Sequence, residues 1–176
     1  AAGDSGGALG AALYAYHVLL GQPRKFVMEH AYWGKGYEPD QVRAEIESAG
    51  YAYQQLTDTE QQAELMVEDL TCGRVIALFQ GRFEWGPRAL GNRSILADPR
   101  RAEMKGIVND RIKFREPFRP FAPSVIAEKS DEYFEPVGDS PFMLRVTPVQ
   151  PGMGERIPAV THVDNSARLH MVYRET

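Results

Sequence analysis

Cysteine is almost missing. Cys72 is the only one in 176 residues, which excludes an internal disulfide and any cysteine-based zinc site and fits a reducing compartment. Its place after a helical stretch suggests a buried helix-end thiol. Long apolar runs are missing too. No stretch approaches the roughly 18 residues needed to cross a bilayer, and the apolar stretch after Ala8 is broken by Tyr14, Tyr16 and His17. No membrane span is expected, and a cytoplasmic location is. Internal repeats and low-complexity tracts are also lacking. With 43% hydrophobic and 25% charged residues, the chain reads as globular, with enough length for one full domain. No start methionine precedes the opening AAGDSGGALGAAL. A glycine-rich turn running straight into a helix, without a strand of its own before it, reads as the tail of a domain whose body lies upstream.

Charge is unevenly placed. From Arg74 to Arg119 there are nine Arg and two Lys against five carboxylates, so this segment carries +6 in a chain that sums to −4. Guanidinium groups gathered together repel one another unless something negative compensates them, so a bound anion is one reading. A solvated basic face is the other, and residue spacing has to separate them.

Periodicity divides the chain. The first helix ends at Gly21 and Pro23, and residues 23–38 read as a linker through Ala31, Tyr32, Trp33, Gly34, Lys35 and Gly36. A second helix starts near Asp40, with Val42, Ile46 and Ala49 on one face. YAYQQL, 51–56, alternates like a strand, and 59–71 places Ala63, Met66, Val67 and Leu70 at helical spacing. RVIALFQG (74–81) and RSILADP (93–99) read as strands, and 101–114 as a helix with Met104, Ile107, Val108 and Ile112 inward. The last third, with FMLRVTPVQ (142–150) and AVTHVDNSARLHMVY (159–173), is strand-rich. The class is therefore mixed, α/β or α+β.

The most informative stretch is GRFEWGPRALGNRSILADPR, 81–100. It sets Arg82, Arg88 and Arg93 in a loop between two apolar strands, interleaved with Gly81, Gly86 and Gly91. Guanidinium forks and backbone N–H groups exposed by glycine suit phosphate oxygens. Glu84 is placed to orient one of the arginines, and Asn92 and Ser94 add neutral contacts suited to a nucleotide or an amide. The same residue types also make ordinary surface turns. A second basic group, NDRIKFREPFRPFAPS (109–124), carries Lys113, Arg115 and Arg119. If the segment is extended, Lys113 and Arg115 point the same way and reach one phosphate. Otherwise Lys113 is solvated and Arg115 pairs with Glu116 or Asp110. Phe114, Phe118 and Phe121 are expected in the core.

EWGPRALGNRSILADPR followed by KFREPFRPFAPS closely resembles the carboxy-terminal domain of the carbamoyltransferases that decorate antibiotics and nodulation factors. THVDNSAR, 161–168, resembles that family's His-Val-Asp-x-x-Ala-Arg stretch, and GDSGGALGAAL the last nucleotide-binding turn of its actin-like amino-terminal domain. The resemblance implies the tail of the actin-like domain in residues 1–22 and a YrdC-like domain in 39–176, truncated at its end, with a twisted mixed sheet and flanking helices. It also implies an enzyme that condenses carbamoyl phosphate with ATP to carbamoyl-adenylate and passes the carbamoyl group to a substrate hydroxyl.

On that reading Arg88, Lys113 and Arg115 are catalytic, since crowded phosphates need several cations before reacting atoms can approach. Arg82, Glu84, Gly86, Asn92, Arg93, Ser94 and Arg119 bind the co-substrates, Arg168 completes the pocket or is an ordinary surface cation, and Gly6 and Gly7 match the adenosine-phosphate turn. Asp4 matches a ligand of a divalent metal, Fe or Mg. The histidine ligands expected upstream are missing here, so metal is expected in the full-length enzyme only. His162 reads as a satisfied strand histidine rather than a general base, and His170 stands where glutamine is common. The implied partners are a small molecule offering a hydroxyl and the upstream actin-like domain. A different reading, an RNA- or nucleotide-binding module without carbamoyl chemistry, is disfavoured because the basic residues lie in two short loops with no aromatic stacking series.

Overall fold

Helix starts follow local chemistry. Asp58 accepts the N–H of Glu60 at 2.9 Å ahead of one helix, and Pro39 opens another, with the Gln41 side chain reaching back to the N–H of Glu38 at 3.0 Å. The computed structural model describes residues 4–173, and side chains from residue 6. The helices before the first strand are α1 (Asp4–Tyr14), prolonged by a π-helical turn over Ala15–Leu19, α2 (Pro39–Ser48) and α3 (Thr59–Thr71). Then come β1 (Ile76–Phe79), β2 (Arg93–Leu96) and α4 (Met104–Ile107), which continues into a π-helical turn over Val108–Lys113. The remainder holds β3 (Ser124–Ile126), α5 (Ser130–Tyr133), β4 (Val146–Pro148), β5 (Ser166–Arg168) and β6 (His170–Val172).

The mixed class is present, with the described strands in three two-stranded pieces. β1 and β2 are antiparallel with Phe79 opposite Arg93, β3 and β6 run parallel, and β4 and β5 are antiparallel. The core lies in the second half of the chain. Phe134, Val149, Ile157, Val160, Ala167, Leu169 and Met171 form its main cluster, and Met104, Val108 and Ala159 a smaller one. Phe121 packs against both and joins them. No helix among the described residues is long and apolar enough to cross a membrane.

Several expectations change. Residues 51–56 form no strand, because alternation builds a strand only where a neighbour supplies a ladder, and Tyr51 and Tyr53 are exposed. α2 and α3 bury none of their residues, so Val42, Ile46, Met66 and Leu70 are only partly covered and Ala63 and Val67 are open. Met104 and Val108 are buried as expected, whereas Ile112 is exposed, because the helix widens into its π-helical turn and carries Ile112 off the inward face. Of the three phenylalanines assigned to the core only Phe121 packs there; Phe114 is 83% exposed and Phe118 75%. Cys72 is exposed at the end of α3.

Residues 31–36 are bound along the loop between β1 and β2. The N–H of Gly34 donates to Phe83 O (2.8 Å), that of Phe83 to Lys35 O (2.9 Å) and that of Trp85 to Ala31 O. This strap positions the loop that carries Arg88.

Candidate functional site

The loop from Gln80 to Arg93 is braced from within. Glu84 orients no arginine. Its Oε1 accepts the N–H groups of Leu90 (2.8 Å), Asn92 (2.8 Å) and Arg93 (3.2 Å), because three converging amides offer a carboxylate more than a single side chain does. Asn92 donates to Arg82 O (2.8 Å), and Ser94 Oγ accepts from the N–H of Gly91 (3.1 Å). Gly86 and Gly91 take φ of 121° and 117°, which permits the tight path. Tyr32, from the strap, donates to Leu90 O at 2.8 Å and backs the same turn.

The arginines of the loop separate into two kinds. Arg82 donates to Gly34 O (2.8 Å) and Trp33 O (3.2 Å), fastening the strap. The Arg93 guanidinium lies between the Phe79 and Phe83 rings, 3.9 and 3.7 Å from their centroids, and donates to the carbonyls of Gln80, Asn92 and Gly81. Both are committed to the chain itself. Arg88 is partly buried and has no carboxylate partner among the described residues.

Arg168, in β5, lies within the field of two cations from distant segments, Arg88 and Arg115. In β5, Ala167 is buried in the core while Ser166 and Arg168 share the other face. Arg168 is held below the ordinary guanidinium pKa, first by burial and then by the positive charges of Arg88 and Arg115. Neither Arg115 nor Arg168 has a carboxylate within ion-pair distance among the described residues. Arg115 also lies over the Phe121 ring, 4.7 Å from its centroid. Arg168 thus feels two further positive charges, and none of the three guanidinium groups has an ion-pairing carboxylate among the described residues, a set of charges suited to an anion.

The other expected residues are placed less centrally. Lys113 ends the π-helical turn and Phe114 adopts the left-handed conformation (φ 48°), so the segment turns there and the same-side geometry of an extended strand does not arise. Arg119 pairs with Glu116 at 2.9 Å. Gly6 and Gly7 lie in the first turns of α1 rather than in a loop before it. The Asp4 side chain lies outside the described residues, and among those described no three His, Cys, Asp or Glu side chains converge to hold a metal.

Sequence reasoning passed over Lys105 and took His162 for a satisfied strand histidine, whereas it precedes β5 and is not fully satisfied. His162 Nδ1 is 3.4 Å from Ser166 Oγ, which donates to Asp164 Oδ1 at 2.6 Å, and its Nε2 is buried without a hydrogen-bond partner. Burial, and then the charges of Lys105 and Arg168, push the His162 pKa down against the opposing pull of Asp164. His170, bonded through Nδ1 to Ser124 Oγ at 3.0 Å, is lowered by burial. The only signal pointing to His162 was its membership of the His-Val-Asp-x-x-Ala-Arg stretch. Because both folded-state pKa values lie below the ordinary histidine value near ~6.5, the unfolded chain binds more protons just below that value. Stability is then complete above about pH 6.5 and falls as the pH drops toward the folded-state values. Urea midpoints at pH 7.5 and 5.5 should differ in that direction, with the difference reduced in His170→Gln. Equal midpoints for the unaltered chain would contradict the assignment.

Comparison with known proteins gives one family match, described as Carbamoyltransferase C-terminus, over residues 67–176. The chain is 42% identical to an uncharacterized protein of Synechocystis sp., over all of this chain and 33% of that protein. It is 43% identical to Nodulation protein NolNO of Sinorhizobium fredii, over 99% of this chain and 26% of the relative. With Nodulation protein NolO of Bradyrhizobium diazoefficiens the identity is 42%, over 100% of this chain and 33% of the relative. The chain thus spans a third or less of the length of these relatives.

Proposed function

This chain belongs to the carbamoyltransferase family, whose C-terminal part it carries, and on that premise we propose that it binds carbamoyl phosphate and ATP for formation of carbamoyl-adenylate. The carbamoyl group then passes to a hydroxyl of a small-molecule acceptor. The observation that carries this reading is Arg168, partly buried within the field of both Arg88 and Arg115, with no ion-pairing carboxylate to any of the three among the described residues. Phosphate groups of two anionic substrates repel each other, and fixed cations lower the cost of bringing them together. Residues 39–176 form the YrdC-like domain in this proposal. Arg88 and Arg115 hold the reacting phosphates with Lys113 at the rim, and Arg168 completes the pocket. Arg82, Glu84, Gly86, Asn92, Arg93 and Ser94 shape the loop beneath them, and Arg119 steadies the second basic loop.

Residues 1–22 belong, on the same proposal, to an actin-like domain supplied by the rest of the polypeptide, with 23–38 as linker. Gly6 and Gly7 would meet the nucleotide there, since the N–H groups of a first helical turn are free to bind phosphate. Asp4 would be one ligand of a divalent metal, Fe or Mg, completed by residues outside this chain. That metal would supply Lewis acidity at the acceptor side, and nothing at the arginine cluster depends on it.

The test separates the two half-reactions. The full-length enzyme with Lys113 and Arg115 both changed to Ala should lose carbamoyl-adenylate formation yet transfer carbamoyl from supplied adenylate. Asp4→Asn should show the reverse. If the double variant fails transfer as badly as activation, one shared pocket serves both steps and the division of roles is wrong.

A further inference from the structure

The described arginines differ in what holds them. Arg43, Arg74, Arg100 and Arg119 are paired with Asp40, Asp69, Asp98 and Glu116, so their charge is largely cancelled. Arg115 is held just as firmly, but by a neutral group: its Nε donates to Asn109 Oδ1 at 2.7 Å. Asn109 is completely buried. Its Nδ2 donates to the carbonyls of Arg119 (3.1 Å) and Pro117 (3.4 Å), and its own carbonyl accepts the N–H groups of Phe114 and Arg115. One residue, through its side-chain amide and its backbone carbonyl, therefore ties the 114–119 turn to the helix end while leaving the guanidinium charge intact.

An aspartate here would offer the same acceptor. It would lose both donors to Pro117 and Arg119, and it would neutralise Arg115. A buried amide at this point makes sense where orientation is wanted and cancellation is not. We infer that Asn109 is a positioning residue that holds Arg115 as an uncompensated charge for a phosphate-bearing ligand at the proposed anion site. The inference rests on the proposed anion site and adds how its charge is kept available.

Calorimetric titration of the chain with carbamoyl phosphate tests it, at low and high salt. Asn109→Asp should bind about tenfold more weakly, as when one charge-assisted contact is lost, and with a weaker salt dependence, because one fewer net positive charge meets the ligand. In an Arg115→Gln background the same substitution should cause no further loss. Wild-type affinity in Asn109→Asp, or an equal loss in both backgrounds, overturns the inference while leaving the anion site standing. Absence of binding by the unaltered chain overturns the anion site itself. Should Asn109→Asp fail to fold, Asn109→Ser, neutral and too short to reach Arg115, takes its place. It should weaken binding severalfold with Arg115 present and not at all in Arg115→Gln, and equal losses would again count against Asn109.

Discussion

Arg168→Met should bind carbamoyl phosphate about 1.5–3 kcal/mol more weakly than the unaltered chain, the range for one charge-assisted hydrogen bond, and should melt no lower. The two halves of this expectation have one cause. Arg168 is partly buried and feels the positive charges of Arg88 and Arg115, so in the free chain its charge is disfavoured and a bound anion would offset that. Methionine keeps a long side chain of similar reach and removes the repulsion. Calorimetry and thermal melting on the same two proteins decide it. A lower melting point with unchanged affinity would make Arg168 a structural cation. Arg88→Ala should weaken binding by a comparable amount, and Arg88→Lys should recover little, because a point charge cannot reproduce a bidentate fork.

Gly34→Ala should destabilise the chain by at least about 1–3 kcal/mol, the usual cost of overpacking. A Cβ at Gly34 would sit 2.5 Å from Phe83 Cβ and 2.9 Å from Phe83 O. Neither atom can rotate away, since both are fixed to the main chain. The strap must lift, which strains its three backbone hydrogen bonds to the loop and the two that Arg82 gives to Trp33 and Gly34. Anion affinity should fall along with stability, because the loop carries Arg88. Gly10→Ala provides the contrast: nothing lies within 4 Å of its added methyl, so an alanine inside α1 should be neutral or stabilising by roughly 0.5–1 kcal/mol. Equal urea midpoints for the two variants would show that the strap is not held as described.

Much of the secondary structure was legible because it depends on neighbours in sequence. The separate strands β1 and β2, the start of α2 near Asp40 and the helix over 59–71 need only a few adjacent residues. The glycine-arginine loop was legible as a unit. Its internal assignments were not, because Glu84 settled on backbone amides six to nine residues away. Burial was misread wherever it required a distant surface. Phe114, Phe118 and Phe121 have the same chemistry and near-identical spacing, yet only Phe121 meets the two core clusters.

What the sequence alone determined is the mixed class, the concentration of positive charge between Arg74 and Arg119, and the pair of basic loops that carry it. Only the tertiary structure decided which of those charges remain available. Arg82 found carbonyls 48 and 49 residues away, Arg93 found two phenyl rings, and Arg100 and Arg119 found carboxylates. Arg88, Arg115 and Arg168 found no ion-pairing carboxylate among the described residues. Composition counts charges, but the force a charge exerts on a ligand depends on how far away its nearest compensating group lies, because the interaction falls with distance and with solvent screening. Those distances are set by the packing of segments remote in sequence, which no local spacing of residues specifies.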